Sequence, residues 1–267
     1  MQRVRGLAPL ACKTDKIDAW VLAELSRRDL VPAIWLPTPG VHAERERARF
    51  RLHLVRHRVM LKNRVHATLM TFGVPCPVSD LFGQSGLALL GRLRIPDPWA
   101  GNIAASIRLI DELDGEIDDC ESDLRKLGAD HPYVPLLTTI PGVAWVLGYT
   151  LASEIGDISR FSSPTKLCGY TGLCPRVYQS GRTDNRGSLS KMGPNYLRWA
   201  LIEAAIHASR HPAYRARYER TKARLGKQRG GRIARVDVAR QLAEAIWHML
   251  IKSEQFAPAG ADLPLAS

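Results

Sequence analysis

Two long stretches of helical periodicity limit the folds open to this chain. Residues 41–70 repeat apolar side chains at helical spacing among many arginines, and Gly73 and Pro75 end the pattern. Residues 102–127 form a second, acidic stretch whose apolar positions follow a heptad-like seam: Ile103, Ile107, Ile110, Ile117 and Leu124. A basic helix and an acidic helix joined by a turn-rich connection predict an antiparallel, coiled-coil-like hairpin over residues 41–130. Two ordinary bundle helices would give the same pattern.

The rest of the sequence also favours helices, so the predicted fold class is mainly α. Residues 13–28, 161–170, 195–210 and 236–251 have helical patterns, and a further apolar helix should end near Ala152. Residues 31–36 are interpreted as a short strand, and residues 222–232 as a basic, glycine-containing loop. The breaks predict an N-terminal segment (1–40), the hairpin (41–130), a C-terminal domain (131–256) and a disordered tail (257–267).

The charge balance points to a polyanionic partner. Lys and Arg number 38 against 26 Asp and Glu, which gives a net charge of +12 and a pI near 9.8. Nucleic acid is the leading candidate for this partner. Several arginines surround Tyr214 and Tyr218 in the sequence, and these tyrosines either stack on bases or belong to an ordinary helix surface. The alternative is a basic protein whose charge only aids solubility. The five cysteines form no CxxC pair, which disfavours a zinc site or a disulfide framework and fits a reducing cytoplasm. With nucleic acid as its partner, the protein is expected to associate with the bacterial nucleoid. No apolar run approaches the length of a membrane helix.

One serine is the candidate nucleophile. Ser180 lies in a glycine-flanked basic segment, and no histidine is near it in sequence, which disfavours a serine–histidine hydrolase. Four cations after it suit phosphate binding and attack on phosphorus: Arg182, Arg186, Lys191 and Arg198. The alternative is a solvated loop serine, with Ser188 and Ser190 as competitors for the catalytic role.

Two further motifs carry candidate ligand-binding groups. Asp15 and Asp18 lie three residues apart on one face of a predicted helix and offer the oxygen ligands that Mg²⁺ prefers. They make an incomplete site, and acids at a helix N-terminus are also favoured by the helix dipole. The turn Pro141-Gly142-Val143 resembles a helix-hairpin-helix element, whose backbone N–H groups hold a DNA phosphate; a plain capping turn is equally compatible.

In their order along the chain, these motifs resemble those of the IS110-type transposases, a family that includes the Piv-like DNA invertases. The resemblance covers nearly the whole chain. Its segments are residues 13–19 (KTDKIDA), 61–67 (LKNRVHA), 139–143 (TIPGV), 154–157 (EIGD), 169–176 (GYTGLCPR), 180–181 (SG), 191–193 (KMG) and 197–198 (LR).

The resemblance implies both a chemistry and a set of partners. Asp15 and Asp18 correspond to the second acidic pair of a Mg²⁺-binding, RuvC-like DEDD site, and Ser180 to the serine that attacks DNA and forms a covalent phosphoserine. The fold implied is a remnant of an RuvC/RNase H-like domain, a long helical hairpin that assembles dimers or tetramers, and a helical C-terminal transposase domain. Strand exchange is expected to be guided by a structured bridge RNA.

The sequence departs from the family pattern at its acidic site. The family's first Asp and its Glu lie upstream of the segment matched by residues 13–19, and residues 1–14 contain no acid. We therefore expect an N-terminally truncated transposase that binds Mg²⁺ poorly and is inactive as given. The other hypotheses are a non-catalytic nucleic-acid-binding protein and a metal-dependent junction nuclease in which the serine is incidental.

Overall fold

The N-terminal unit contains one helix. The computed structural model describes residues 14–31, 34–180 and 183–258, and the chain divides into the units Met1–Thr38 and Pro39–Ser267. Helix α1 (Asp15–Arg27) begins two residues after the predicted start at residue 13, because Thr14 is its N-cap: the hydroxyl of Thr14 accepts a hydrogen bond from the N–H of Ile17 at 3.3 Å. The predicted strand is wrong for residues 31 and 34–36, which form no strand; residues 32–33 lie outside the described part.

Two long helices run antiparallel at the start of the second unit. They are α2 (Pro39–Thr71) and α4 (Trp99–Ala129), with the short α3 (Gln84–Arg92) between them. Arg51 pairs with Glu121, and seven residues further along α2, Arg58 pairs with Asp114, which fixes the direction of the two helices. Apolar side chains from both helices are buried along this contact: Leu52, Leu54, Val65, Leu69, Ile103, Ile110, Ile117 and Leu124.

The main core is built by helices from the C-terminal half. They are α5 (Val134–Leu137), α6 (Trp145–Ile155), α7 (Pro164–Thr171), α8 (Asn195–Ala208) and α9 (Pro212–Lys252), with a 3-10 turn at Ile158–Arg160. Leucine and isoleucine fill the core, and α8 contributes a run of fully buried alanines: Ala200, Ala204, Ala205 and Ala208. Small side chains on α8 allow neighbouring backbone to approach closely. The mainly α fold class is confirmed, since a single two-stranded sheet accompanies nine α-helices among the described residues.

The predicted basic loop over residues 222–232 is wrong, because these residues are part of α9. The helix breaks at Gly226, whose φ of 76° lies in the left-handed region that glycine tolerates. The second half then folds back on the first: a Cβ on Gly230 would overlap the carbonyl oxygen of Lys222, and Arg217 pairs with Asp237. Two glycines therefore turn one basic segment into a helical hairpin, called the α9 hairpin below.

The segment that carries Ser180 is a β-hairpin rather than an irregular loop. Strand β1 (Pro175–Ser180) pairs antiparallel with β2 (Thr183–Leu189), with Val177 opposite Arg186 and Ser180 opposite Thr183. Val177 and Tyr178 favour strands, and their side chains are 55% and 62% exposed. Most of the tail predicted to be disordered, residues 259–267, lies outside the described part.

Candidate active site

Ser180 is the last residue of β1, at the tip of the β-hairpin. Its backbone partner in β2 is Thr183, and residues 181–182 between them, which include the predicted phosphate ligand Arg182, lie outside the described residues. Arg186 lies in β2, opposite Val177. The two strands therefore bring the backbones of Ser180 and Arg186 into one short ribbon.

The base of the hairpin is fixed to the C-terminal end of α7. The N–H of Ser190 donates to the carbonyl of Cys174 at 2.9 Å, and the N–H of Lys191 donates to the carbonyl of Gly172 at 3.1 Å. Gly172 caps α7 with a left-handed φ of 71°. Gly193 lies against the same turn, and a Cβ on it would overlap the carbonyl oxygen of Tyr170. These contacts fix where the two strands leave the core.

Arg198 also secures this junction. Its guanidinium donates to the carbonyls of Thr171 at 3.4 Å and Gly193 at 3.3 Å, and to the side-chain oxygen of Asn195. The predicted phosphate-binding cation thus already joins α8 to the turn after α7. Lys191, the other predicted cation here, is exposed beside this junction and has a positive φ of 53°.

An ion pair with a buried carboxylate joins α2 to α6. Glu154 is fully buried, and its carboxylate accepts hydrogen bonds from Arg49 at 2.7 and 3.0 Å. Arg45 donates to the carbonyls of Ser153 and Glu154 at 2.8 Å each, which satisfies the C-terminal end of α6. The hydrogen bond to Glu154 raises the pKa of Arg49. The guanidinium of Arg49 also lies 5.0 Å from the ring centre of Tyr196, in the first turn of α8.

Sequence reasoning missed this ion pair because it expected the basic helix over residues 41–70 to pair with the acidic helix over residues 102–127. A signal was present: Glu154 is the only acid in the apolar helix 145–155, and a buried carboxylate requires a cation.

Two thiols lie close to the hairpin base, and one of them is buried. The Sγ atoms of Cys168 and Cys174 are 3.7 Å apart. Burial raises the pKa of Cys168 to about 12, so this thiol stays protonated near neutral pH. A protonated, buried thiol is a poor nucleophile, so Cys168 does not compete with the hydroxyl groups of the hairpin.

The turn Pro141-Gly142-Val143 lies between α5 and α6 and packs on α8. Gly142 has a φ of 87°, and a Cβ there would come within 2.7 Å of the Ala204 carbonyl oxygen. The glycine is thus required by backbone conformation and close packing. Val143 is buried in the core, and α6 begins two residues later at Trp145.

The two predicted metal ligands lie in the N-terminal unit. Asp15 and Asp18 occupy the first turn of α1. Among the described residues, no group of three or more His, Cys, Asp or Glu side chains is arranged to hold a metal ion. Mg²⁺ takes six oxygen ligands, so this pair fits only part of a divalent-cation site.

Sequence comparisons identify the class of protein. Residues 134–219 match the model of the Transposase IS116/IS110/IS902 family, and residues 1–73 match a transposase model of the IS110 DEDD type. The first segment contains Ser180, Lys191 and Arg198, and the second contains Asp15 and Asp18.

Three curated relatives are similar over most of the chain. The transposase for insertion sequence element IS1328 of Yersinia enterocolitica is 29% identical, covering 88% of this chain and 71% of the relative. A putative transposase of Sinorhizobium fredii is 28% identical, and the match covers 72% of this chain and 47% of the relative. The pilin gene-inverting protein of Moraxella bovis is 27% identical, covering 76% and 56%.

The chain belongs to the IS110 family of DNA transposases and recombinases. The matched regions span 47% to 71% of the length of these three relatives. None of the helices in the described part of the chain has the length and apolar character needed to cross a membrane.

Proposed function

We propose that this chain carries the serine step of an insertion-sequence recombinase, with DNA as its substrate. The observation that supports this most is the position of Ser180 at the end of an exposed strand ribbon, within the segment that matches the family. The ribbon is fixed at its base and projects from the core. Such an arrangement allows a DNA backbone to reach the tip.

The reaction we propose is a transesterification. The Ser180 Oγ–phosphorus bond forms as the bond between phosphorus and a deoxyribose oxygen breaks, and the serine proton is transferred, in net terms, to the leaving oxygen. The phosphoserine is itself a phosphodiester of similar energy, so the hydroxyl of a new DNA end can attack it, release the serine and join two DNA strands. Arg182, Arg186 and Lys191 neutralise the phosphate, and Arg198 adds its charge from the base of the hairpin.

We further propose that Asp15 and Asp18 contribute to a Mg²⁺ site, that a structured guide RNA selects the DNA, and that the active form is a dimer or tetramer. When bound, the metal would stabilise charge on the reacting phosphate oxygens. Because two carboxylates bind Mg²⁺ weakly, this chain by itself should turn over ordinary DNA slowly or not at all.

A substrate with an activated leaving group separates the serine step from the metal requirement. The substrate would be DNA that flanks the coding region, with sulfur in place of the bridging oxygen that leaves from phosphorus (a phosphorothiolate). The thiolate formed on cleavage is a good leaving group and needs no proton. We expect a protease-sensitive covalent protein–DNA adduct with this substrate in the presence of RNA and Mg²⁺, and little adduct with ordinary DNA. The adduct should also form with the Asp15→Asn variant, because the activated leaving group needs less help.

The other hypotheses give different outcomes in the same assay. If the wild-type protein cleaves the DNA without forming an adduct, and the Asp15→Asn variant no longer cleaves it, the protein is a metal-dependent nuclease. Binding without cleavage or adduct identifies a non-catalytic nucleic-acid-binding protein. Either result contradicts the proposed serine step.

A further inference from the structure

The α9 hairpin concentrates much of the charge of the chain. Residues 212–240 contain ten Lys and Arg but only two acids, Glu219 and Asp237. This surplus of eight positive charges compares with a net charge of +12 for all 267 residues. The proposed serine chemistry uses none of these side chains.

A pocket of about 310 Å³ lies between the two halves of this hairpin. Three of its arginines come from one face of the first half, since Arg217, Arg220 and Arg224 are spaced three and four residues apart. Arg240 enters from the second half, and the hydroxyl-bearing Thr221 also lines the pocket. Four guanidinium groups thus surround one cavity.

The single carboxylate in the pocket is already neutralised. Asp237 accepts hydrogen bonds from Arg217 at 2.8 and 3.1 Å, and this interaction lowers the pKa of Asp237. Arg240 is the second cation beside Asp237, with its Nη2 atom 3.9 Å from the carboxylate, while its buried Nε has no hydrogen-bond partner. Within the described part of the chain, Arg220 and Arg224 have no carboxylate partner. The pocket therefore has a net positive charge and an unused buried donor.

We propose that this pocket binds a phosphate group of a nucleic-acid backbone. Arginine forks match the tetrahedral oxygens of phosphate. Four guanidinium groups and one carboxylate line the cavity, and this surplus of three positive charges favours a dianionic or repeating anionic ligand over a single carboxylate. The proposal rests on the proposed function for the nature of the polymer. It places a DNA- or RNA-binding site on α9, separate in sequence from the serine hairpin.

A charge-removal experiment with a matched control tests this site. The variant Arg220→Gln/Arg224→Gln removes two exposed pocket cations, and Arg92→Gln/Arg94→Gln removes two exposed cations from α3 and the segment after it. Fluorescence anisotropy would measure the affinity of each 267-residue protein for a 30-base-pair DNA and for a 30-nucleotide RNA hairpin across a salt series. Circular dichroism would check that both variants fold.

We expect the pocket variant to bind about tenfold more weakly at 0.1 M salt, and its slope of log affinity against log salt to fall by about 1 to 2. The control should stay within about twofold of the wild type. A loss for DNA alone identifies DNA as the ligand, a loss for RNA alone identifies RNA, and a loss for both identifies the shared backbone. Equal behaviour of the two variants overturns the proposal.

This outcome is independent of the serine step. If the pocket variant binds normally but the covalent adduct forms, the pocket proposal fails and the proposed function stands. If the pocket variant loses affinity but no adduct forms with wild-type protein, the pocket stands and the serine step fails.

Discussion

Replacing Ser180 with alanine is expected to lower the yield of covalent protein–DNA adduct by at least about a thousandfold, to below detection. The hydroxyl oxygen of Ser180 is the atom that joins to phosphorus in the proposed step, and alanine has no oxygen to replace it. DNA affinity should remain within about twofold, because alanine removes no positive charge. The adduct is measured on a denaturing gel with the phosphorothiolate substrate.

The neighbouring hydroxyls provide matched controls. Ser188 is exposed in β2, and Ser190 lies at the hairpin base, where its hydroxyl donates to the carbonyl of Gly172 at 3.4 Å. Ser188→Ala and Ser190→Ala should both form adduct. If Ser180→Ala retains the adduct while one of these variants loses it, the nucleophile has been assigned to the wrong serine.

Gly193→Ala is expected to destabilise the second unit by about 2–3 kcal/mol, because an added Cβ would overlap backbone atoms that cannot rotate away. The φ of Gly193 is not positive, so alanine can adopt this backbone conformation and the expected effect is steric. The added Cβ would overlap the carbonyl oxygen of Tyr170 and would lie 2.7 Å from the carbonyl carbon of Thr171. In a protein of this size, the melting temperature should fall by about 5–10 °C in a calorimetric scan.

Gly169→Ala is the matched control for this substitution. Gly169 is an exposed residue of α7, and a Cβ there would meet no atom within 4 Å. Alanine at this helical position should be neutral or slightly stabilising. A Gly193→Ala protein as stable as the Gly169→Ala protein would show that residues 191–193 do not pack tightly on the end of α7.

The long helices could be predicted because their periodic patterns are strong. Residues 41–70 and 102–127 carry apolar side chains at helical spacing over many turns, and α2 and α4 extend only one to three residues beyond each predicted boundary. The α9 hairpin could not be predicted, because three glycines within six residues resemble a loop signal. Their real roles depend on a tertiary contact, the approach of Gly230 to Lys222.

The candidate site could be predicted only in part. Neighbouring glycine and basic residues made Ser180 the candidate nucleophile in the sequence. The two strands of its hairpin were not predicted, because they are short and polar and show only a weak alternation of apolar and polar residues. Arg198 was assigned to phosphate, whereas its guanidinium also binds two carbonyls of the fold. The pairing of Arg49 with Glu154 joins residues 105 positions apart, a separation that a single sequence does not reveal.

The most direct test is to identify the residue linked to DNA. Trypsin cleavage after Arg176 and Arg182 releases residues 177–182 as one peptide, which contains both Tyr178 and Ser180. Fragmentation of the nucleotide-bearing peptide by mass spectrometry assigns the linkage to one hydroxyl. We predict a nucleotide on Ser180; a nucleotide on Tyr178, or on a serine of β2, would contradict the account.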